Sequence, residues 1–220
     1  METKYLNVPI ELLSGFLRDK VETINNILYY GCYEYSIKND ITIGGAASYF
    51  GLTLGNEAFA KKQGVTLLNS INTTVMVGIN VSKLFEFLKE DKTDFDKACF
   101  LAFLALKSIL MKKPYCKITN TFLLSRMNGD AKSLEDHGYL SEEVFKYAND
   151  YQIVKIKRAL SDSWGLVTYS RYTRGFYVSF ALSLEDLVYE AEKRKKSTKD
   201  KQRKEAERVA LKKALERLTG

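Results

Sequence analysis

The residues best suited to chemistry in this chain are the cations between Tyr151 and Phe180. Lys155 and Arg158 are spaced so that a helix would place them on one face, and Arg171 and Arg174 flank a short turn. Lysine and arginine neutralise phosphate groups, and arginine also hydrogen-bonds the edges of bases. The chemistry that this stretch supports is therefore noncovalent contact with nucleic acid.

A helix and a hairpin are predicted to position these cations. Apolar residues recur at three- and four-residue steps along 151–164, which predicts a helix with one buried face. Gly165 ends that helix, and 166–169 and 176–180 are rich in β-branched and aromatic residues, which predicts a two-stranded hairpin. The predicted buried face consists of Ile153, Ile156, Leu160 and Trp164, and the opposite face of Tyr151, Lys155, Arg158 and Asp162.

Composition predicts a globular protein with a basic C-terminal end. The 220 residues are 45% hydrophobic, enough for one large domain or two small ones, and two prolines leave little room for linkers. The formal charge is +7, and the stretch from Glu192 to Arg217 supplies that whole excess with twelve basic and five acidic residues. The rest of the chain is formally neutral, so general electropositivity cannot explain binding of nucleic acid there.

Several other classes of protein are not favoured. No apolar run approaches eighteen residues and the N-terminus lacks a secretory pattern, so we expect a cytoplasmic protein without membrane contact. Cys32, Cys99 and Cys116 are widely spaced and His137 is the single histidine, which supports neither a zinc site nor a disulfide framework. Gly44-Gly45 lacks the following Lys-Ser or Lys-Thr of a nucleotide-binding loop. We expect no enzyme activity, no metal and no cofactor.

The two halves of the chain share a weak similarity that suggests a duplication. Residues 6–17 resemble 77–88, and 41–51 can be laid over 118–128, about 77 residues later. A repeat of this length indicates two related domains, not a solenoid. We predict units at 1–76 and 77–185, followed by a basic tail at 186–220 that is helical or partly disordered. The alternative is one α-rich domain in which only the second half has this pattern.

In the second half, the predicted elements follow a familiar order. A long helix runs to Lys112, and after it come a strand at 116–119, a helix at 120–128, the helix at 151–164 and the hairpin, with a long insert at 130–150. This order resembles the winged helix-turn-helix superfamily of DNA-binding proteins. Two such units in tandem resemble the replication initiator proteins of plasmids and phages.

This resemblance implies a fold class and a set of contacts. The fold would be mainly α with small β-hairpins (α+β), with the third helix in the major groove and the hairpin, or wing, on the backbone or minor groove. The N-terminal unit, which lacks an arginine-tipped wing, would contact DNA more weakly and serve in dimerisation. The implied groove contacts are Gln152, Lys155, Lys157, Arg158 and Ser161, and the implied wing contacts are Arg171, Tyr172, Thr173 and Arg174.

The implied function is noncatalytic binding of double-stranded DNA, in replication initiation or transcription regulation of a mobile element or its host. The resemblance leaves open whether the protein acts as a homodimer. One alternative is a protein-protein interaction module that uses the same scaffold, with the basic tail docking on an acidic partner. RNA binding is a further alternative, although the aromatic residues do not match a known RNA platform.

Overall fold

The structure, a computed structural model, describes residues 4–13, 15–71, 75–133, 139–170 and 175–219, without the side chains of 88, 195–197 and 211–219. Over these residues the chain is mainly helical, with two small antiparallel sheets, an α+β arrangement. The N-terminal half contains β1 (Tyr5–Pro9), a 3-10 turn (Ile10–Leu13), α1 (Lys20–Asn39), α2 (Ile43–Phe50) and α3 (Glu57–Ser70). The C-terminal half contains β2 (Met76–Asn80), α4 (Val81–Lys89), α5 (Asp94–Leu110), β3 (Cys116–Ile118), α6 (Asn120–Met127), α7 (Glu142–Phe145), α8 (Asp150–Trp164), β4 (Val167–Tyr169), β5 (Phe176–Ser179) and α9 (Leu184–Thr219).

The first sheet joins the two halves of the chain. β1 and β2 pair antiparallel, with Leu6 opposite Ile79 and Val8 opposite Val77. All four of these side chains are buried, because alternate residues of each strand face the same core. The predicted boundary at residue 76 falls at the first residue of β2, so this pairing crosses it.

One apolar core extends through both halves. The rings of Phe16, Phe87 and Phe100 lie 4.4 to 5.8 Å apart and come from the segment before α1, from α4 and from α5. Such tilted and stacked ring contacts stabilise a core beyond the area that they bury. The two predicted units therefore share their apolar interior.

A glycine sets the distance between α1 and α3. A Cβ atom added to Gly64 of α3 would lie 2.4 Å from the Cβ of Tyr33 on α1. Real Cβ atoms do not approach so closely, so only glycine lets these two helices pack at this separation.

The second sheet has three antiparallel strands in the order β3-β5-β4. Cys116 pairs with Val178 and Ile118 with Phe176, while Tyr169 pairs with Tyr177 across the hairpin. Phe176 and Val178 are buried in the core. On the opposite face lies α9, reached from β5 through Ser179, whose hydroxyl donates to Pro114 O at 2.7 Å and accepts from the backbone of 181 and 182.

The predicted insert between α6 and α8 is attached to the end of α6. Asn128 Oδ1 accepts from Ser141 N at 2.8 Å, and the Ser141 hydroxyl accepts from Val144 N at the start of α7. Val144 is buried. After Ser141 the insert forms a single helical turn, α7.

The C-terminal end forms one continuous helix. α9 contains 36 residues, and all the side chains described from 198 to 210 are exposed. Leu187 and Ala191, near its start, are buried against the body. The helix extends as far as Thr219.

Candidate nucleic-acid interface

The helix α8 forms where the sequence predicts it and buries the predicted face. Asn149 caps its start by accepting from Gln152 N at 2.9 Å, and Gly165 ends it at φ +68°, where glycine is unstrained. Ile153, Ile156 and Leu160 are buried, and the partly buried Trp164 packs 4.4 Å from the ring of Phe103. The opposite face of α8 is therefore held in a fixed orientation.

That opposite face is exposed and carries three of the predicted groove contacts. Lys155, Arg158 and Ser161 are all exposed. Arg158 Nε lies 4.0 Å from the Asp162 carboxylate, a solvated pair of little energetic weight. The Lys155 amine lies 4.3 Å from the centre of the Phe95 ring, which directs this cation toward the start of α5.

Lys157 points in a different direction from the other predicted contacts. Its amine donates to Asn120 Oδ1 at 2.9 Å and lies 3.4 Å from the centre of the Phe176 ring. Burial lowers the pKa of Lys157 to about 8, partly offset by the carboxylate of Asp150. In this structure Lys157 links α8 to α6 and β5, and Gln152, the fifth predicted helix residue, is half-buried.

Two large hydrophobic side chains of α8 are exposed and were not among the predicted contacts. Tyr151 is 73% exposed and Val154 is 61% exposed, at the N-terminal end of the same face. The signal was present in the sequence, because Val154 is apolar and lies outside the buried stripe of the helix. An exposed valine can contact a thymine methyl group in the major groove.

The hairpin forms as predicted in its two strands. β4 and β5 pair next to α8, and Gly175 precedes β5 at φ +92°. A Cβ at this glycine would lie 2.4 Å from Ile118 O, so the chain turns here against the backbone of β3. The predicted wing contacts Arg171, Tyr172, Thr173 and Arg174 lie outside the described residues.

The outer face of the sheet is joined to α9 by tyrosines. Tyr169 OH donates to Glu192 at 2.9 Å, and Tyr115 OH donates to Glu190 at 3.1 Å. The guanidinium of Arg194 lies 5.2 Å from the centre of the Tyr115 ring. A cleft of about 430 Å³ remains between sheet and helix, lined among others by Lys117, Gly175, Tyr177, Arg194 and Lys199.

The N-terminal half has no equivalent sheet among its described residues. α2 follows α1 without an intervening strand, and the strand after α3 is β2, which pairs with β1. Instead there is an open groove of about 1090 Å³ between α1, the loop at 51–56 and α4. This half therefore presents a helix, α3, without a hairpin beside it.

Comparison with models of known protein families, with curated proteins and with solved structures returned no match for this chain. Within the described residues, no helix combines the length and apolar character needed to cross a bilayer. Among the same residues, no three or more His, Cys, Asp or Glu side chains are grouped so as to hold a metal ion. The description of the candidate interface therefore depends only on the positions and exposure of the residues described above.

Proposed function

We propose that the chain is a noncatalytic double-stranded DNA-binding protein whose DNA-reading unit is a winged helix made of α5, β3, α6, α8, β4 and β5. The support is the order of these elements together with the sheet order β3-β5-β4. The strand before the second helix pairs with the second strand of the hairpin, as in a winged helix. α8 is then the third helix, which enters the major groove in this superfamily.

The observation that carries the proposal is the exposed face of α8 beside the hairpin. Lys155, Arg158 and Ser161 recur at about one-turn intervals on this face and are exposed, whereas the opposite face is buried. A major groove about 12 Å wide admits one α-helix. Lysine and arginine would neutralise phosphates at the groove edges, and arginine and serine would hydrogen-bond base edges.

We further propose that the N-terminal half is a diverged copy of this unit. Thr42 and Thr119 cap α2 and α6, which contain eight residues each. The pairing of β1 with β2 is symmetric about Asn7 and Gly78, as expected if 6–17 corresponds to 77–88. The tandem arrangement supports a role in replication initiation or in transcription regulation, with DNA reading by the C-terminal unit.

Titration of labelled duplex DNA, followed by fluorescence anisotropy, tests the proposal. A pool selected from random duplexes serves as probe, and affinity should fall steeply with salt. Lys155→Ala with Arg158→Ala should lower the slope of log K against log salt by about two, at roughly 0.9 per phosphate contact. Lys38→Ala with Lys83→Ala is the matched control, because it removes two exposed cations from α1 and α4.

The control pair should leave the slope unchanged. If both double variants lower it equally, or if neither does, α8 is not the DNA-reading element. Binding that is indifferent to salt would remove the basis of the proposal altogether.

The interaction-module alternative is separated from this proposal by truncation within α9. The cut should follow Thr198, because Glu190, Glu192 and Arg194 contact the sheet and an earlier cut would uncover it. If the chain ending at Thr198 still binds DNA through Lys155 and Arg158, the winged-helix unit is the reader. If all DNA binding is lost with residues 199–220, the basic end alone was responsible.

A further inference from the structure

We propose that α9 is a rigid basic strut that extends the DNA contact beyond the hairpin, on one side of the site. This inference rests on the proposed function. It differs from a flexible basic tail, because the sheet fixes the direction in which the helix projects. The partner surface is the phosphate backbone that flanks the sequence read by α8.

The direction of α9 follows from its contacts along the sheet. α9 begins after β5 has run away from the hairpin turn, and Glu192 bonds Tyr169, which ends β4 on the side of that turn. Lys199 and Gln202 then line the same cleft as Gly175, at the base of the turn. α9 therefore runs along the sheet toward the tip of the hairpin.

The attachment of α9 is firm enough to keep this direction. Leu187 is fully buried and Ala191 is 3% exposed, and both tyrosine hydrogen bonds lie within the same two turns. Arg194 adds a contact with the face of the Tyr115 ring. A single helix leaving such an anchor continues in one direction for as long as it stays helical.

The free part of α9 is long enough to reach flanking DNA. The helix extends from Gln202 to Thr219, about 25 Å at a rise of about 1.5 Å per residue. This length matches about seven base pairs at about 3.4 Å each. A contact made by this segment would therefore lie outside the few base pairs that α8 can cover.

The charges of this segment suit phosphate contact and a helical state. Arg203 pairs with Glu207 at 3.5 Å and Arg208 with Glu205 at 3.9 Å, spacings that support an isolated helix. Lys199 and Lys201, where α9 leaves the sheet, and Lys204, at the start of the free segment, are exposed and have no carboxylate partner among the described residues. At least three cations are thus available for phosphates.

Tethered cleavage of DNA locates the strut. Ala210, which is exposed on α9, is changed to cysteine and conjugated to iron-EDTA, and cleavage is mapped on an end-labelled duplex that carries one selected site. Ala210 lies eight residues beyond Gln202, about 12 Å along the helix at about 1.5 Å per residue. Cuts should therefore cluster in a single flank, about three to four base pairs beyond the site. The wild-type protein treated in the same way measures the background from Cys32, Cys99 and Cys116.

A five-residue Gly-Ser insertion after Thr198 is the matched control, because it keeps every charge and removes the fixed direction. In Ala210→Cys with this insertion, the cuts should spread over both flanks while overall affinity stays within threefold. Truncation after Thr198 should weaken binding to a duplex with long flanks at least tenfold, and binding to the bare site less than threefold.

Two results would overturn the inference: diffuse cleavage from Ala210→Cys without the insertion, or truncation that weakens bare and flanked duplexes equally. Both leave binding through α8 intact and so spare the proposed function. Loss of all binding to the bare site in the truncated chain would instead contradict the proposed function, and the strut with it.

Discussion

Lys157→Met is expected to change the pH dependence of stability without weakening DNA binding. The Lys157 amine lies between α8, α6 and β5, 2.9 Å from Asn120 Oδ1 and 3.4 Å from the centre of the Phe176 ring. Burial lowers its pKa from 10.5 to about 8. A cation in this position changes the stability of the folded protein, whereas the amine of Lys155, on the exposed face, is free to contact phosphate.

The sign of the effect follows from proton binding. Between pH 8 and pH 10.5 the unfolded chain still holds the Lys157 proton that the folded chain has released, so stability rises with pH. Burying the charged amine thus costs most below pH 8, and this cost fades as the pH approaches 10.5.

The magnitude follows from the size of the pKa shift. At about 1.36 kcal/mol per pKa unit, the full shift would let the wild-type protein gain about 2 kcal/mol over Lys157→Met between roughly pH 7.5 and 9.5. Lys157 is only partly buried, and Asn120 and the Phe176 ring favour its charged form. Solvent screening and these contacts reduce the expected gain to about 1 kcal/mol.

Urea unfolding across this pH range measures the difference in free energy of unfolding between the wild type and Lys157→Met. The titration of tyrosines, which both proteins share, cancels in this difference. Lys155→Met is the control for loss of one charge from the same helix. In the anisotropy titration, Lys157→Met should bind DNA within about twofold of the wild type, and Lys155→Met should lower the salt slope by about one. Parallel pH profiles for wild type and Lys157→Met, together with a lowered salt slope for Lys157→Met, would refute this placement of the Lys157 amine.

Three further substitutions, the first with a matched control, test the scaffold and the exposed face of α8. Gly175→Ala adds a Cβ atom 2.4 Å from a backbone oxygen of β3, at φ +92°, and should lower the free energy of unfolding by about 2 to 4 kcal/mol. Its control is Gly51→Ala, at φ +74° in open space, which should lower the free energy of unfolding by about 1 kcal/mol. Equal losses in the two variants would contradict the close approach of Gly175 to β3. Gly64→Ala should cost about 1 to 3 kcal/mol in urea unfolding despite its better helix propensity, and a gain would show that α1 and α3 are less closely packed. Val154→Ser should abolish any preference of the protein for thymine over deoxyuridine in the selected site; a preference that persists would exclude Val154 as the methyl contact.

The helix α8 could be predicted because it buries one side only, and the hairpin strands could be predicted from their β-branched and aromatic residues. α8 was predicted at 151–164 and spans Asp150–Trp164, and the hairpin strands at 166–169 and 176–180 are observed as β4 and β5. The period of the apolar residues reports such one-sided burial directly.

Nonlocal partners could not be predicted from the same patterns. The orientation of Lys157 depends on an aromatic ring of β5 and on a side chain of α6, neither of which affects the local helical period. A lysine stem is long enough to reach either interior or solvent from a position at the edge of the buried face. The pairing of β1 with β2 is likewise a long-range contact. The similarity of 6–17 and 77–88 indicated that the two strands occupy equivalent positions in the two halves, but not that they pair with each other.

The middle strand β5 connects the two proposed DNA contacts. Phe176, on its inner face, meets the Lys157 amine of α8, and the sheet that it centres meets α9 through Tyr169 and Glu192 on the outer face. In this proposal a formally neutral body presents positive charge in a defined direction, because one small sheet contacts both α8 and α9. It follows that a substitution that distorts β5 should impair site selection and flank contact together, whereas Lys155→Met should affect only the site and truncation after Thr198 only the flank.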